Sequence, residues 1–273
     1  MRRRSGRPSA RSPSADERRN FVLWERIATE YEIRNARALR RDNGAAWGVW
    51  RIPERELRLL DEVRGRDVLE LGCGSAGWSI ALARRGARVI GLDFSPSRLA
   101  QARRRMRRAG VEFPLVEASA EEIPYPSARF DVVLSDYGAT TFADPQRVVP
   151  EVARVLRPRG ILVFAHASPF RTVAEDLRAD RLRRRLIHDY FETRVIRPPT
   201  DPSVEFQLPY GEWVDLFAGC GLAVERLIEP RAAARARSSY VSLADARWAR
   251  HWPSEMIWKV RKVPRPAHRT AVH

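Results

Sequence analysis

Between Val68 and Gly77 the chain reads Val-Leu-Glu-Leu-Gly-Cys-Gly-Ser-Ala-Gly, a strand-forming run that stops on a glycine turn. Glycines at 72 and 74 let the backbone turn tightly and approach a ligand closely, where a Cβ would intrude. A helical stretch follows over Trp78–Arg85, then a second strand over Ala87–Leu92 with the β-branched pair Val89 and Ile90. Asp93 closes that strand, 21 residues after Gly72, where its carboxylate can bridge ribose hydroxyls. Strand, glycine turn, helix and acid-ended strand commit this part of the chain to a βαβ unit.

The rest of the chain extends the pattern. Pro96–Ala109 reads as a helix stopped by Gly110, Phe113–Glu117 as a strand, Phe130–Ser135 as a strong strand, Pro145–Leu156 as a helix and Ile161–His166 as a fifth strand. Such alternation predicts right-handed crossovers around a parallel sheet. Before it, Phe21–Arg41 has helical spacing, and Pro53 opens a helix towards Leu60. After it, Thr172–His188 reads as an Arg-rich helix, Gly211–Ala218 as a helix, and Leu222–Ile228 and Met256–Val263 as a hairpin at the sheet edge.

Composition narrows the class. No apolar run approaches the roughly 18 residues of a membrane helix, so a soluble chain is expected. Residues 1–19 read as a disordered basic leader with no apolar core of an export signal, residues 20–263 as one domain, and residues 264–273 as a loose tail. Within the domain, residues 20–60 form a helical cap and residues 167–211 an insertion. Cytoplasmic location is expected, with Cys73 and Cys220 as reduced thiols. The five histidines are scattered, so no metal is expected. A formal charge of +16, from 50 Lys+Arg against 34 Asp+Glu, makes nucleic acid a partner to weigh. Much of the excess lies in the leader and on Arg103, Arg104, Arg105, Arg107 and Arg108, however, so a small molecule ranks ahead.

Gly72, Gly74 and Gly77 also complete the spacing of a nicotinamide-dinucleotide fingerprint. A pyrophosphate favours uncharged N–H groups at a helix start. Glu70 just ahead of the turn instead suits a cofactor carrying a sulfonium and an ammonium. The segment Glu70–Gly77 resembles motif I of the class I S-adenosylmethionine-dependent methyltransferases, and Gly91–Ser95 resembles their motif II, with Asp93 as the ribose acid. Ala118–Tyr125 resembles the segment that lines adenine, and the strands at Phe130–Val133 and Leu156–Leu162 match in order. The resemblance implies a Rossmann-like α/β three-layer sandwich with a mostly parallel seven-stranded sheet and an antiparallel C-terminal strand. It also implies S-adenosyl-L-methionine held by Glu70, Gly72, Cys73, Gly74, Asp93, Phe94, Ser119, Ala120, Glu121 and Ser135. Ser119 stands where many relatives have Asp, so its contact to the adenine amino group is uncharged. Phe94 and Ile123 would flank the base.

For the acceptor side, methyl transfer needs a lone pair in line with the methyl–sulfur bond and a pocket that excludes water. Tyr31, Trp47 and Trp50 of the cap and Tyr210 at the end of the insertion are the expected substrate contacts. Asp136, Tyr137 and His166 are the expected catalytic groups, His166 as base because an imidazole titrates near neutrality. Ser135-Asp136-Tyr137-Gly138 lacks the Asn/Asp-Pro-Pro-aromatic pattern of many base and amide N-methyltransferases. The expected function is transfer to an oxygen, nitrogen or carbon of a small molecule by in-line displacement. An RNA methyltransferase and a non-catalytic cofactor-binding module are the alternatives, and a homodimer is compatible with the sequence.

Overall fold

The computed structural model describes residues 12–40, 44–199 and 201–264. Residues 1–11 of the expected leader and residues 265–273 of the expected tail lie outside the described residues. Seven strands form the central sheet: β1 Asp67–Leu71, β2 Arg88–Asp93, β3 Leu115–Glu117, β4 Phe130–Asp136, β5 Leu156–Ala167, β6 Leu222–Ile228 and β7 Glu255–Lys262. Their spatial order is β6-β7-β5-β4-β1-β2-β3. Pairing is parallel throughout β5-β4-β1-β2-β3, while β7 runs antiparallel to both β5 and β6. The strand order reverses between β1 and β4, and ligands of open α/β sheets lie beyond the strand ends at such a point.

The helices that pack on the sheet or border its carboxyl end include α1 Ala15–Arg34, α2 Gly77–Arg84, α3 Pro96–Ala109, α4 Ala139–Phe142, α5 Pro145–Val155, α6 Pro169–Ala174 and α7 Tyr210–Gly219. Strand parity divides the core. Leu69, Leu71, Val133, Leu162, Phe164, Met256 and Trp258 face α5 and α7, meeting Val148, Val152, Trp213 and Phe217. Val68, Val132, Leu134, Val163 and Ile257 face the other way, onto Trp78, Leu82, Ala102 and Met106 of α2 and α3. Both faces are therefore dry, as a parallel sheet requires. No helix among the described residues is long and apolar enough to cross a membrane.

Local chemistry explains most boundaries. Ser95 caps α3 by accepting from the Arg98 N–H at 3.1 Å, Pro96 fills its first turn, and Gly110 ends it at φ 64°. Three expectations are corrected. The leader yields at Ala15 rather than Asn20, because Ser14 and Glu17 form a reciprocal capping box that starts α1. The helix expected from Pro53 is only Glu54–Leu57, since Ile52–Pro53 pairs with Ala46–Trp47 as a short antiparallel ladder. The Arg-rich helix expected over Thr172–His188 stops at Ala174. There Glu175–Asp176 pairs with Arg181–Leu182, and the Asp176 carboxylate accepts from the N–H groups of Arg178 and Ala179 in the turn. A run of arginines without an apolar stripe has no face to bury as a helix.

Candidate active site

The turn between β1 and α2 forms the floor of a cavity of about 280 Å³ at the carboxyl ends of the strands. Gly72 has φ +67°, and a Cβ there would lie 2.4 Å from the Ala139 nitrogen where the β4 exit loop crosses. At Gly74 a Cβ would meet the Arg98 guanidinium at 2.6 Å. Asp93 lines the cavity at the end of β2 and holds this turn in place: its carboxylate accepts from the Gly74 N–H at 2.8 Å and the Ser95 N–H at 2.9 Å. Burial pushes its carboxyl upward, opposed by those two N–H groups.

Glu70 also lines the cavity, one turn beneath. It accepts from the Ser79 N–H at 2.8 Å and from the Ser79 hydroxyl, so its carboxyl sits at the start of α2 and satisfies a free helix donor. Burial raises it to about 8 against those bonds. Cys73 lines the cavity, and burial, then Asp93, push its thiol well up, so it is a small wall residue without thiolate character.

Phe94, Ala118, Ser119 and Ala120 make the wall beyond Asp93. The Ser119 hydroxyl accepts from the Glu121 N–H at 3.1 Å and keeps its own proton to donate. Three residues expected here lie behind the wall. Glu121 accepts from the Asp144 N–H at 3.1 Å, Ile123 packs in the core, and Ser135 donates to the Leu71 carbonyl at 2.9 Å, tying β4 to β1.

Helix α1 roofs the cavity with Trp24 and Tyr31. Its Glu25 accepts from the Ser97 N–H at 3.1 Å and hydroxyl at 2.8 Å, and from the Ser95 hydroxyl, which fastens the roof to the start of α3. Burial pushes the Glu25 carboxyl up, but these donors outweigh it and leave it below its usual value. Buried Asn20 donates to the Phe142 and Val204 carbonyls and accepts from the Val204 N–H, each at 2.8 Å. It thus joins α1, α4 and the insertion. Tyr240, from the long connection before β7, packs 6.2 Å from Tyr31 and also lines the cavity.

Of the expected acceptor groups, Tyr31, Asp136 and Tyr137 reach the cavity, and His166, Trp47, Trp50 and Tyr210 do not. Trp47 is fully buried against Trp78, 4.3 Å between rings, and donates to Glu54 at 2.6 Å. Trp50 donates to Ser254 at 3.1 Å, and Tyr210 to Glu229 at 2.6 Å. His166 is 1% exposed beneath Gln207 and Trp213, and burial lowers it to about 4, so at neutral pH it is uncharged and remote from any acceptor. Asp136 is occupied: it accepts from Arg51 at 2.9 Å, the Gly48 N–H at 2.8 Å and Trp78 at 3.1 Å, pinning the cap ladder to β4. The Tyr137 hydroxyl is buried, and burial, then Glu255, push it well up.

Sequence reading missed Arg98, Arg171, Glu205 and Tyr240 in the wall. Arg98 lies 5.0 Å over the Tyr31 ring and donates to Gln101 at 2.7 Å. Its place on α3, one turn past Ser95, was a readable signal; Arg171 on the short α6, Glu205 on a two-residue ladder and Tyr240 in the connection before β7 carry none. Glu255, behind Tyr137, was also missed: its carboxylate accepts from the Val49 N–H at 2.7 Å and is fully buried, which raises it to about 8.

Comparison with known proteins agrees with this geometry. Residues 69–164 match a methyltransferase domain family. The chain is 34% identical over 149 residues to a demethylmenaquinone methyltransferase of Thermus thermophilus, covering 54% of this chain and 65% of that protein. It is 38% identical over 120 residues to a fatty-acid O-methyltransferase of Mycolicibacterium smegmatis, covering 43% of each. The chain thus spans less than two thirds of the curated relatives it matches. An S-adenosylmethionine-dependent methyltransferase structure from Mesorhizobium loti superposes with a TM-score of 0.62 at 22% identity, over 76% of this chain and 96% of that one, which shows a shared fold. Residues 69–164 thus carry a methyltransferase domain, and the glycine turn, the acid ending β2 and the sheet order are those of the fold shared with S-adenosylmethionine-dependent methyltransferases.

Proposed function

We propose that this protein transfers a methyl group from S-adenosylmethionine to a small-molecule acceptor held beneath α1. One observation carries the reading: a single cavity joins the glycine turn and Asp93 to a chamber walled by Trp24, Tyr31, Phe142 and Tyr240. Asp93 would take the ribose, Phe94, Ser119 and Ala120 the adenine, and Gly72 and Gly74 the close backbone approach at the amino-acid end. Glu70 lies under that end, where the ammonium of the bound cofactor would draw its raised carboxyl into the ionised form. When bound, the cofactor supplies an electrophilic methyl group on a sulfonium.

The chain's own part is to orient the acceptor and exclude water, which the roof of α1 and the aromatic chamber favour. The relatives named for demethylmenaquinone and for a fatty acid support a small molecule as the acceptor. Free thiols at Cys73 and Cys220 suit the reducing cytoplasm, where we place the enzyme. Calorimetric titration with S-adenosylhomocysteine beside NADH tests the reading. Micromolar binding of the first alone supports it; binding of NADH alone makes the site a dehydrogenase's and overturns it.

A further inference from the structure

Around α6, at the edge of the cavity, the carboxylates of Glu175 and Glu205 outnumber the one guanidinium, Arg171. Arg171 of α6 and Glu205 of the insertion both line the wall. Arg171 is already matched, donating to Glu175 at 2.7 Å, and that carboxylate holds its guanidinium charged. Glu205 is the surplus group. Among the described residues its carboxylate is reached by the charges of Arg171, Glu175 and Asp201, with no hydrogen bond.

Its backbone is nonetheless firmly placed. Asn20 clamps Val204 on one side, and on the other Gln207 donates to the Ala167 carbonyl at 2.7 Å. Residues Glu205–Phe206 also pair with Val195–Ile196. On the same wall the Thr141 hydroxyl is 2% exposed, lines the cavity and has no hydrogen-bond partner. A buried polar atom without a partner costs free energy unless a ligand satisfies it.

We propose that Glu205 is the general base of this protein and that it selects acceptors presenting a neutral hydroxyl on a flat ring, with the Thr141 hydroxyl as the second contact to the acceptor oxygen. The proposal rests on the methyl-transfer reading above. Beside α6 an anionic acceptor would face the charges of Glu205 and Glu175 against the one guanidinium of Arg171, while Arg51 and Arg98 of the same cavity are matched by Asp136 and Glu32, which disfavours it. A neutral hydroxyl donates to Glu205 and accepts from Thr141, satisfying both. The aromatic chamber of Trp24, Phe142 and Tyr240 accommodates the ring.

In the transfer, Glu205 takes the hydroxyl proton while an oxygen lone pair forms the new O–C bond. The methyl C–S bond breaks with its electron pair passing to sulfur, leaving a neutral thioether, and Glu205 later yields its proton to water. Burial raises Glu205 to about 7 against the pull of Arg171, so its ionised fraction changes steeply across neutrality.

The test is fluorescence titration of the S-adenosylhomocysteine-saturated protein with 2-naphthol and with 2-naphthoate, at pH 6 and pH 8. Saturation is first verified by calorimetry, so failure of the cofactor reading is seen separately, before any naphthyl ligand is added. Ionised Glu205 accepts from 2-naphthol, whose affinity is expected to rise by up to about tenfold at pH 8. Affinity for 2-naphthoate is expected to move in the opposite direction. Glu205→Gln is expected to abolish both trends. Naphthoate binding that strengthens at pH 8, pH-independent binding of both ligands, or trends that persist in the variant would each overturn the proposal. Should the variant not fold, the opposite signs in the unaltered protein decide the matter alone.

Discussion

Asp93 holds the glycine turn, and under the proposed function it also takes the ribose; substitution can separate the two. Its two carboxylate oxygens offer about four lone-pair sites, and the Gly74 and Ser95 N–H groups occupy one on each oxygen. One site per oxygen remains at the cavity wall, the number that two vicinal ribose hydroxyls need. Asp93→Asn keeps one backbone bond and turns an amide N–H towards the other donor. Leaving that buried N–H unmatched costs about 1–3 kcal/mol of folding stability, and Asp93→Ala, which frees both, costs about twice as much. For the ligand, a hydrogen bond to a charged group contributes about 1.5–3 kcal/mol, so Asp93→Asn is expected to weaken S-adenosylhomocysteine binding about 10- to 100-fold. Urea denaturation gives the first number and calorimetry on the folded variant the second. A folded Asp93→Asn protein that binds within twofold of the original would refute the ribose contact and leave Asp93 only its role in the turn.

Three further outcomes follow from the buried charges. His166 is held near 4 by burial while its unfolded value is the usual 6.5, so the unfolded chain takes up a proton first as pH falls. Stability is expected to drop by about 3 kcal/mol between pH 6.5 and 4, a loss that His166→Gln removes in acid-dependent urea unfolding, without altering the pH profile of methyl transfer. Glu255, raised to about 8, is the opposite case: its carboxyl destabilises the fold increasingly as pH climbs from its usual 4.5 towards 8. Glu255→Gln keeps an acceptor for Val49 and should stabilise the protein by up to about 4–5 kcal/mol at pH 8.5 and by less than about 1 kcal/mol at pH 5, as read by thermal unfolding. Asp136→Asn should cost about 2–4 kcal/mol by leaving the Arg51 charge unmatched, with transfer rates on the folded fraction near the original; a rate loss of a thousandfold would restore Asp136 to a catalytic role.

The glycine-turn end of the cavity was readable because its determinants are local. Gly72, Gly74 and Asp93 lie in one βαβ unit, and Ser95, Pro96 and Gly110 mark α3 to the residue. The acceptor end is assembled from α1, α4, α6, the insertion and the connection before β7, and no spacing rule links Trp24 to Arg171, Glu205 and Tyr240. Trp47 and Trp50 misled because aromatic content does not reveal which side of a short ladder meets the core. His166 was a different kind of error. It stands two and four residues after Phe164 and Leu162, so the alternation of β5 already put it on the face packed by Trp213.

Ser95 is shared by two fastenings. Its N–H holds the Asp93 carboxylate, while its hydroxyl holds Glu25 of the roof. Swinging α1 aside therefore breaks a charge-assisted bond on the residue that steadies Asp93. Under the proposed function, arrival at the chamber and departure of the spent nucleoside would share this fulcrum, tying the residence time of the product to roof opening and making release the step that limits turnover. Loosening Glu25 would then exchange commitment for speed, with faster cycling at saturating cofactor and a poorer hold on it when scarce.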